Sequence, residues 1–366
     1  VFFNACFGKA GTADRVRAAE KGETVKATIK DIARLAGVAP STVSRALAGS
    51  GRIGETTRNH IIEIARQLDY HPNAVARALV SRRANNLGVV LPGSTEKTFE
   101  HPMYPEVLRG MGGFAALEQN NFLMISTLGP EQELEAVMRV VDSGMVQGLV
   151  LMGTRVNDAT AEKLSAEGFP FVSIGRPQEE SSITWVDNDN VRAAYELTFR
   201  LLEKGHRRIA FLGEDQGHMV MVDRFRGYRD ALLDAGIGVD NDLVVRSSFI
   251  GKMANTSGLR ELLTMADRPT AILASDDSLA LWAMPVARAC GLRLPEELSF
   301  AGFHNLMPGQ YVTPSLTTVE THPYLQGQLA IELLTERIHT EGQAPFRNMI
   351  VPYEIIERDS VSKRNF

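Results

Sequence analysis

The sequence is poor in cysteine: Cys6 and Cys290 are the two copies in 366 residues. Two thiols so far apart, with no histidine cluster beside either, exclude a disulfide framework and a zinc-finger spacing. They fit a reducing, cytoplasmic setting. Long apolar runs are lacking too; nothing approaches the roughly 18 consecutive residues that would argue a membrane span. The common catalytic signatures are missing: no phosphate-binding loop, nucleophile elbow, Ser-His-Asp order or metal-ligand cluster. Neither catalysis nor a cofactor is expected. Gly49-x-Gly51-x-x-Gly54 matches a dinucleotide fingerprint by letters, but it follows a helical segment rather than a strand and reads as a loop.

What is present is a soluble globular composition, 44% hydrophobic and 23% charged, on a chain long enough for two or three domains. The net charge of −5 is unevenly divided. Residues 26–84 hold ten Lys and Arg against four Asp and Glu, a charge of +6. Residues 1–25 contribute +1, which leaves −12 on residues 85–366. A basic head on an acidic body is the asymmetry expected when one end meets phosphate. The apolar opening Val1–Phe7 is too short for a signal-peptide core, and residues 1–26 are expected to form a disordered extension.

Three helical signals crowd residues 28–70. The first runs from Thr28, a plausible cap, to Ala36 and ends at Gly37; the second opens at Pro40. The third, about Glu55 to Leu68, carries Ile61, Ile62, Ala65 and Leu68 at helical spacing. The tight turn Gly37-Val38-Ala39 would present the second helix to a DNA major groove, exposing Pro40, Ser41, Thr42 and Arg45. Ser41 and Arg45 are best placed for base edges, since a guanidinium can bridge two guanine acceptors. The hydroxyls of Thr28, Ser41, Thr42 and Ser44 suit phosphate or base contacts. A three-helix bundle with a solvated polar face would show the same pattern.

From Leu87 the pattern changes to strands alternating with helices. Nine strands are expected: Leu87–Leu91, Phe122–Thr127, Gly148–Met152, Phe171–Ile174, Ile183–Val186, Arg208–Leu212, Leu243–Ser248, Ala271–Ser275 and Leu298–Phe303. Amphipathic stretches such as Pro105–Glu118, Gln132–Asp142, Val191–Glu203 and Arg224–Ala235 lie between them. Nine units exceed one sheet, which predicts two doubly wound subdomains with a ligand cleft at their strand ends. Asp187 and Asp189 could pass for a metal or catalytic pair, but at a strand end they read as hinge or turn hydrogen-bonders.

The runs Ala27–Val38, Ser41–Arg45 and Tyr70–Asn73 strongly resemble the LacI and GalR family of transcriptional regulators, and the similarity continues through essentially the whole chain. The resemblance implies an α/β protein: an all-α helix-turn-helix head and a periplasmic-binding-protein-like core of two doubly wound parallel-sheet subdomains. The implied layout is a DNA-binding domain at 27–72, a hinge helix and linker at 73–86, and an effector-binding and dimerisation core at 87–366. It implies base discrimination by Pro40, Ser41 and Arg45, with Arg52 and the hinge residues Asn73 and Ala76 also on DNA. Leu79 would be the wedge entering the minor groove, where partial unstacking is offset by better-wrapped DNA.

In the core, Gly175-Arg176-Pro177, Val186–Asn190, Asp223-Arg224-x-x-Gly227-Tyr228 and Ser275-Asp276-Asp277 are the blocks that resemble the family's cleft. Arg224 matches an arginine that bonds effector hydroxyls or carboxylates. Arg176, Asp276 and His304 are further effector candidates, and Phe99, Tyr104 and Trp282 are candidate aromatic faces for a sugar ring. At Gly302-Phe303-His304-Asn305 the chain departs from members that carry acidic residues after the aromatic, which removes a carboxylate often used on sugar hydroxyls. Ser94–Phe99, His101–Val107 and Trp185–Asn190 look like the maltose and maltodextrin operon repressors of Gram-positive bacteria. The expectation is a homodimeric, cytoplasmic repressor of carbohydrate-use genes. It would read a palindromic double-stranded DNA operator under allosteric control by maltose or a malto-oligosaccharide. The alternatives are a solute-binding protein with a sugar-binding core, or a regulator that answers to another effector or a protein co-repressor.

Overall fold

The computed structural model describes residues 27–47, 53–70, 86–178, 183–213, 217–246, 256–340 and 342–364. The chain divides into two compact units, Val1–Arg82 and Arg83–Phe366. Arg52, Asn73, Ala76 and Leu79, the hinge segment 73–85 and the extension 1–26 lie outside the described residues.

The described residues of the first unit form three helices: α1 (Ile29–Ala36), α2 (Pro40–Leu47) and α3 (Glu55–Gln67). Asp31 fixes the start of α1, its carboxylate accepting the backbone N–H of Thr28 at 3.1 Å and its hydroxyl at 2.8 Å. Gly37, at φ +65°, ends the helix in the left-handed conformation that glycine adopts without strain. The apolar faces meet in a small core of Ile32, Ala33, Val43, Ala46, Ile61, Ile64 and Ala65. On α3 it is Ile64 rather than the expected Ile62 that is buried.

The second unit has two six-stranded sheets, and all nine expected strands are present. In the first, the order is β11-β5-β4-β3-β1-β2, using β1 (Asn86–Val90), β2 (Asn121–Ile125), β3 (Gly148–Met152), β4 (Phe171–Ile174), β5 (Thr184–Asp187) and β11 (Asn348–Ile350). Every pairing is parallel. Helices α5 (Met103–Leu117) and α13 (Pro323–His339) contribute to the core on one face, and α6 (Glu133–Asp142) and α7 (Ala159–Ala166) to the core on the other. Cover on both sides explains why β3 and β4 are apolar nearly throughout and wholly buried. The short α4 (Thr95–Glu100) precedes α5.

The second sheet runs β12-β10-β9-β8-β6-β7, from β6 (Ile209–Gly213), β7 (Val244–Arg246), β8 (Ala271–Ala274), β9 (Ser299–Phe303), β10 (Thr317–Glu320) and β12 (Glu354–Ile356). Its pairings are parallel except β10 with β12. Helices α8 (Asn190–Glu203) and α9 (Met219–Asp234) join the core on one face; α10 (Thr256–Thr264) and α11 (Asp277–Ala289) join it on the other. The short α12 (Met307–Tyr311) follows β9.

The chain crosses between the lobes three times: from β5 to α8, from β10 to α13, and from β11 to β12. One buried side chain gathers the three crossings. The Asn188 amide donates to the carbonyls of Thr321 at 3.2 Å and Val351 at 2.9 Å, and its oxygen accepts from Gln326 Nε2 at 2.7 Å. Asp187 accepts from the N–H groups of Arg176 and Asn188 and from Asn190 Nδ2; Asp189 caps α8 through the N–H of Arg192. Both carboxylates therefore serve the turn. Among the described residues no helix is long and apolar enough to cross a membrane.

Candidate DNA-reading helix and effector cleft

In the first unit the buried face of α2 is set by Val43 and Ala46. That leaves Pro40, Ser41 and Arg45 exposed, with Ser41 and Arg45 one turn apart on the same outward face. Thr42 and Ser44 are half-buried at its flanks, and Thr28 is exposed at the start of α1. A short polar helix held across two others by a seven-residue core can present these side chains to base edges.

In the second unit a cavity of about 130 Å³ lies between the lobes at the carboxyl ends of the sheets. One wall comes from α5 and the neighbouring loop, with His101, Met103, Tyr104 and Val107; the opposite wall holds Arg224, Asp276 and His304. His101 reaches across, its Nε2 lying 2.6 Å from Asp276 Oδ2. The N–H of Met103 donates to His101 Nδ1, so the proton sits on Nε2 and is given to Asp276. Burial alone would raise the Asp276 pKa, but His101 and the N–H of Ser278 hold its carboxyl well below the usual range.

Arg224 is fully buried. Its Nε donates to Asn190 Oδ1 at 2.9 Å, and Nη1 donates to the Ser275 carbonyl at 2.6 Å and His304 Nε2 at 3.1 Å. Nη2 makes no hydrogen bond to the described residues. Burial lowers the Arg224 pKa to about 10, where the nearby aspartates keep it a cation. Because Arg224 can only donate, His304 Nε2 must be an acceptor, and its Nδ1–H faces Thr321 Oγ1 at 2.9 Å. Burial and then the Arg224 charge hold the His304 pKa well below the ordinary value. His304 and Asn305 both have positive φ, 93° and 48°, a strain supported at Asn305, whose N–H donates to Thr318 Oγ1, whose Nδ2 donates to Glu320 and whose Oδ1 accepts from Arg358. The carboxylate missing after Phe303 has a counterpart: Asp276 Oδ2 lies 3.5 Å from His304 Nε2, brought there by another strand end.

Of the effector candidates, Tyr104, Arg224, Asp276 and His304 line the cavity together. Arg176 does not. Its guanidinium clasps Asp223 across the cleft, Nε to Oδ2 at 2.5 Å and Nη2 to Oδ1, because that buried carboxylate faces it from α9. Phe99 is 42% exposed on α4, and Trp282 packs on the core between α11 and the second sheet; neither lines the cavity. Sequence patterns did not single out His101, Asn188 or Gln326 as cavity residues, although His101 and Asn188 lie inside blocks they highlighted. The lobes also meet through backbone: Met219 N–H donates to the Thr154 carbonyl at 3.1 Å and Val156 N–H to that of Gly217 at 3.0 Å.

Residues 28–73 match the bacterial regulatory proteins of the lacI family, and residues 199–361 match a periplasmic binding protein-like domain. The transcriptional regulator CelR of Thermobifida fusca is 32% identical over 91% of this chain and 98% of its own. The regulator MalR of Staphylococcus xylosus is 29% identical over 92% and 98%. A solved structure, a CelR–cellobiose complex, superposes with a TM-score of 0.71 at 31% identity, covering 91% of this chain and 99% of that one. A ribose operon repressor of Haemophilus influenzae reaches 30% over 92% and 98%, so similarity does not single out the Gram-positive maltose regulators. A helix-turn-helix head, a cleft between two parallel sheets and near-full-length similarity agree: this chain belongs to the LacI family of bacterial transcriptional regulators.

Proposed function

We propose that this protein is a homodimeric repressor of carbohydrate-use genes whose hold on a palindromic operator is set by a sugar in the cleft. The observation that carries the effector half is that the Arg224 guanidinium and the Asp276 carboxylate line one cavity with the rings of Tyr104, His101 and His304. Donor, acceptor and aromatic faces together suit hydroxyls on a ring with apolar C–H surfaces. At about 130 Å³, of the order of a cavity that houses one benzene ring, this cavity leaves room for no more than one sugar ring. Maltose or a malto-oligosaccharide, held by one glucosyl unit, is the reading favoured by the sequence blocks around Ser94–Phe99 and Trp185–Asn190. A β-linked glucoside is the second reading, favoured by the similarity to CelR and its cellobiose complex.

On the DNA side, Pro40, Ser41 and Arg45 discriminate bases. Thr28, Thr42, Ser44 and Arg52 make further DNA contacts, and the hinge residues Asn73, Ala76 and Leu79 meet the minor groove, with Leu79 as the wedge. A ligand binding one arrangement of the lobes more tightly shifts the population that binds DNA.

A gel-shift titration on the gene's own upstream region tests this, with and without maltose, maltotriose and cellobiose. Release of a specific complex by a maltose sugar supports the first reading, and release by cellobiose alone supports the second. A complex indifferent to all three removes the glucoside effector, and absence of any specific complex removes the operator role. Arg45→Ala is expected to weaken the specific complex by about 1–3 kcal/mol while sparing effector binding.

A further inference from the structure

We infer that Asp276 makes this cleft select uncharged sugars and reject sugar acids and sugar phosphates, a rule that rests on the cleft being the effector site. Two arginines border the cleft, and either could in principle grip a carboxylate or phosphate with both prongs. Arg176 is already used in that way by Asp223, with its Nη1 turned to the Pro177 carbonyl. Arg224 is the single arginine or lysine among the described residues that line the cavity. Two of its three nitrogens are engaged by Asn190, Ser275 and His304.

The charge of Arg224 is also matched. Asp276 and Asp187 both border the same cavity and both act on its guanidinium. His304 cannot add a positive charge, since it accepts from Arg224, and His101 presents an N–H already given to Asp276. An anionic ligand would therefore be a buried charge facing two carboxylates, with Arg224, already matched, the single arginine or lysine of the described lining. A hydroxyl meets no such obstacle. Arg224 Nη2 offers a donor and Asp276 Oδ2 an acceptor, and neighbouring ring hydroxyls can each be either. The arginine thus serves as a neutralised hydrogen-bond donor, and Asp276 is the residue that makes it so.

The test compares ligands that keep the same pyranose rings and differ in charge by calorimetry on the full chain: glucose with glucuronate and glucose 6-phosphate, and maltose with maltose 6′-phosphate. Wild type is expected to favour the neutral member by at least about tenfold. Asp276→Asn, which keeps the shape and removes the charge, is expected to shrink or reverse that preference by a further factor of about ten. A melting curve verifies that the variant is folded, and the wild-type comparison stands even if it is not. Equal or tighter binding of the anionic member by wild type overturns the charge rule and leaves the sugar reading intact. An unchanged ratio in folded Asp276→Asn overturns the role of Asp276. Binding of no sugar of either charge, by protein that still forms a specific DNA complex, overturns the sugar reading and the rule together.

Discussion

At the scale of single residues, the cleft keeps ionisable groups in unusual states by enclosing them. Asp187 is an example: burial pushes its carboxyl up to about 6, even though two backbone N–H groups favour the charged form. A carboxyl raised in the folded state gives its full stability when protonated in both states, and that contribution is lost as pH rises through the folded value. Lowering the pH from 7 to 4 should therefore stabilise wild type relative to Asp187→Asn by at most about 3 kcal/mol. Paired urea melts across that window measure it, and a constant difference would contradict the burial argument. Such states were only partly legible in the sequence. The block Val186–Asn190 marked Asp187 and Asp189 as turn formers, as they are. That Asn188 would be buried against the carbonyls of the two other crossings depends on residues 321 and 351, too distant for any local pattern. Arg176 misled for the same reason: its partner Asp223 stands 47 positions away.

At the scale of elements, helices α5 and α13 touch backbone to backbone. A Cβ on Gly327 would lie 2.0 Å from the Val107 carbonyl oxygen, and one on Gly110 would lie 1.9 Å from that of Tyr324. Gly327→Ala must push the helices apart, at an expected cost of about 1–3 kcal/mol or more. Because Tyr104 and Val107 of α5 line the cavity, effector affinity should fall with it. Gly112→Ala, on the same helix with nothing within 4 Å, should instead stabilise by up to about 1 kcal/mol. Denaturant melts of the two variants should move in opposite directions; a shared direction would refute the close-contact account. The strands were the most legible elements, because sheets covered on both faces need near-continuous apolar runs between turn residues. Three strands escaped notice: β10, β11 and β12 are short and read Thr-Thr-Val-Glu, Asn-Met-Ile and Glu-Ile-Ile, so none offers the continuous apolar run that marked the others.

At the scale of the whole ligand-binding unit, closure rests on contacts the effector does not make. Arg176 with Asp223 and the backbone pairing of residues 154–156 with 217–219 join the lobes beside the cavity. The cavity is walled by both lobes, so ligand exit requires these contacts to part. Arg176→Ala and Asp223→Ala are each expected to weaken effector binding several-fold, chiefly through a faster off-rate, and the double variant should do little more than either alone. Stopped-flow release measures this; additive losses would mean the pair does not act as one latch. The last two strands carry a further consequence, for the protein's synthesis. β11 and β12 lie within residues 348–356, yet one completes the edge of the first sheet and the other that of the second. A nascent chain emerging from the ribosome therefore holds two unfinished lobes at once, each with an unpaired strand awaiting the same short stretch. Both lobes are thus completed late in synthesis, within the same few residues of chain.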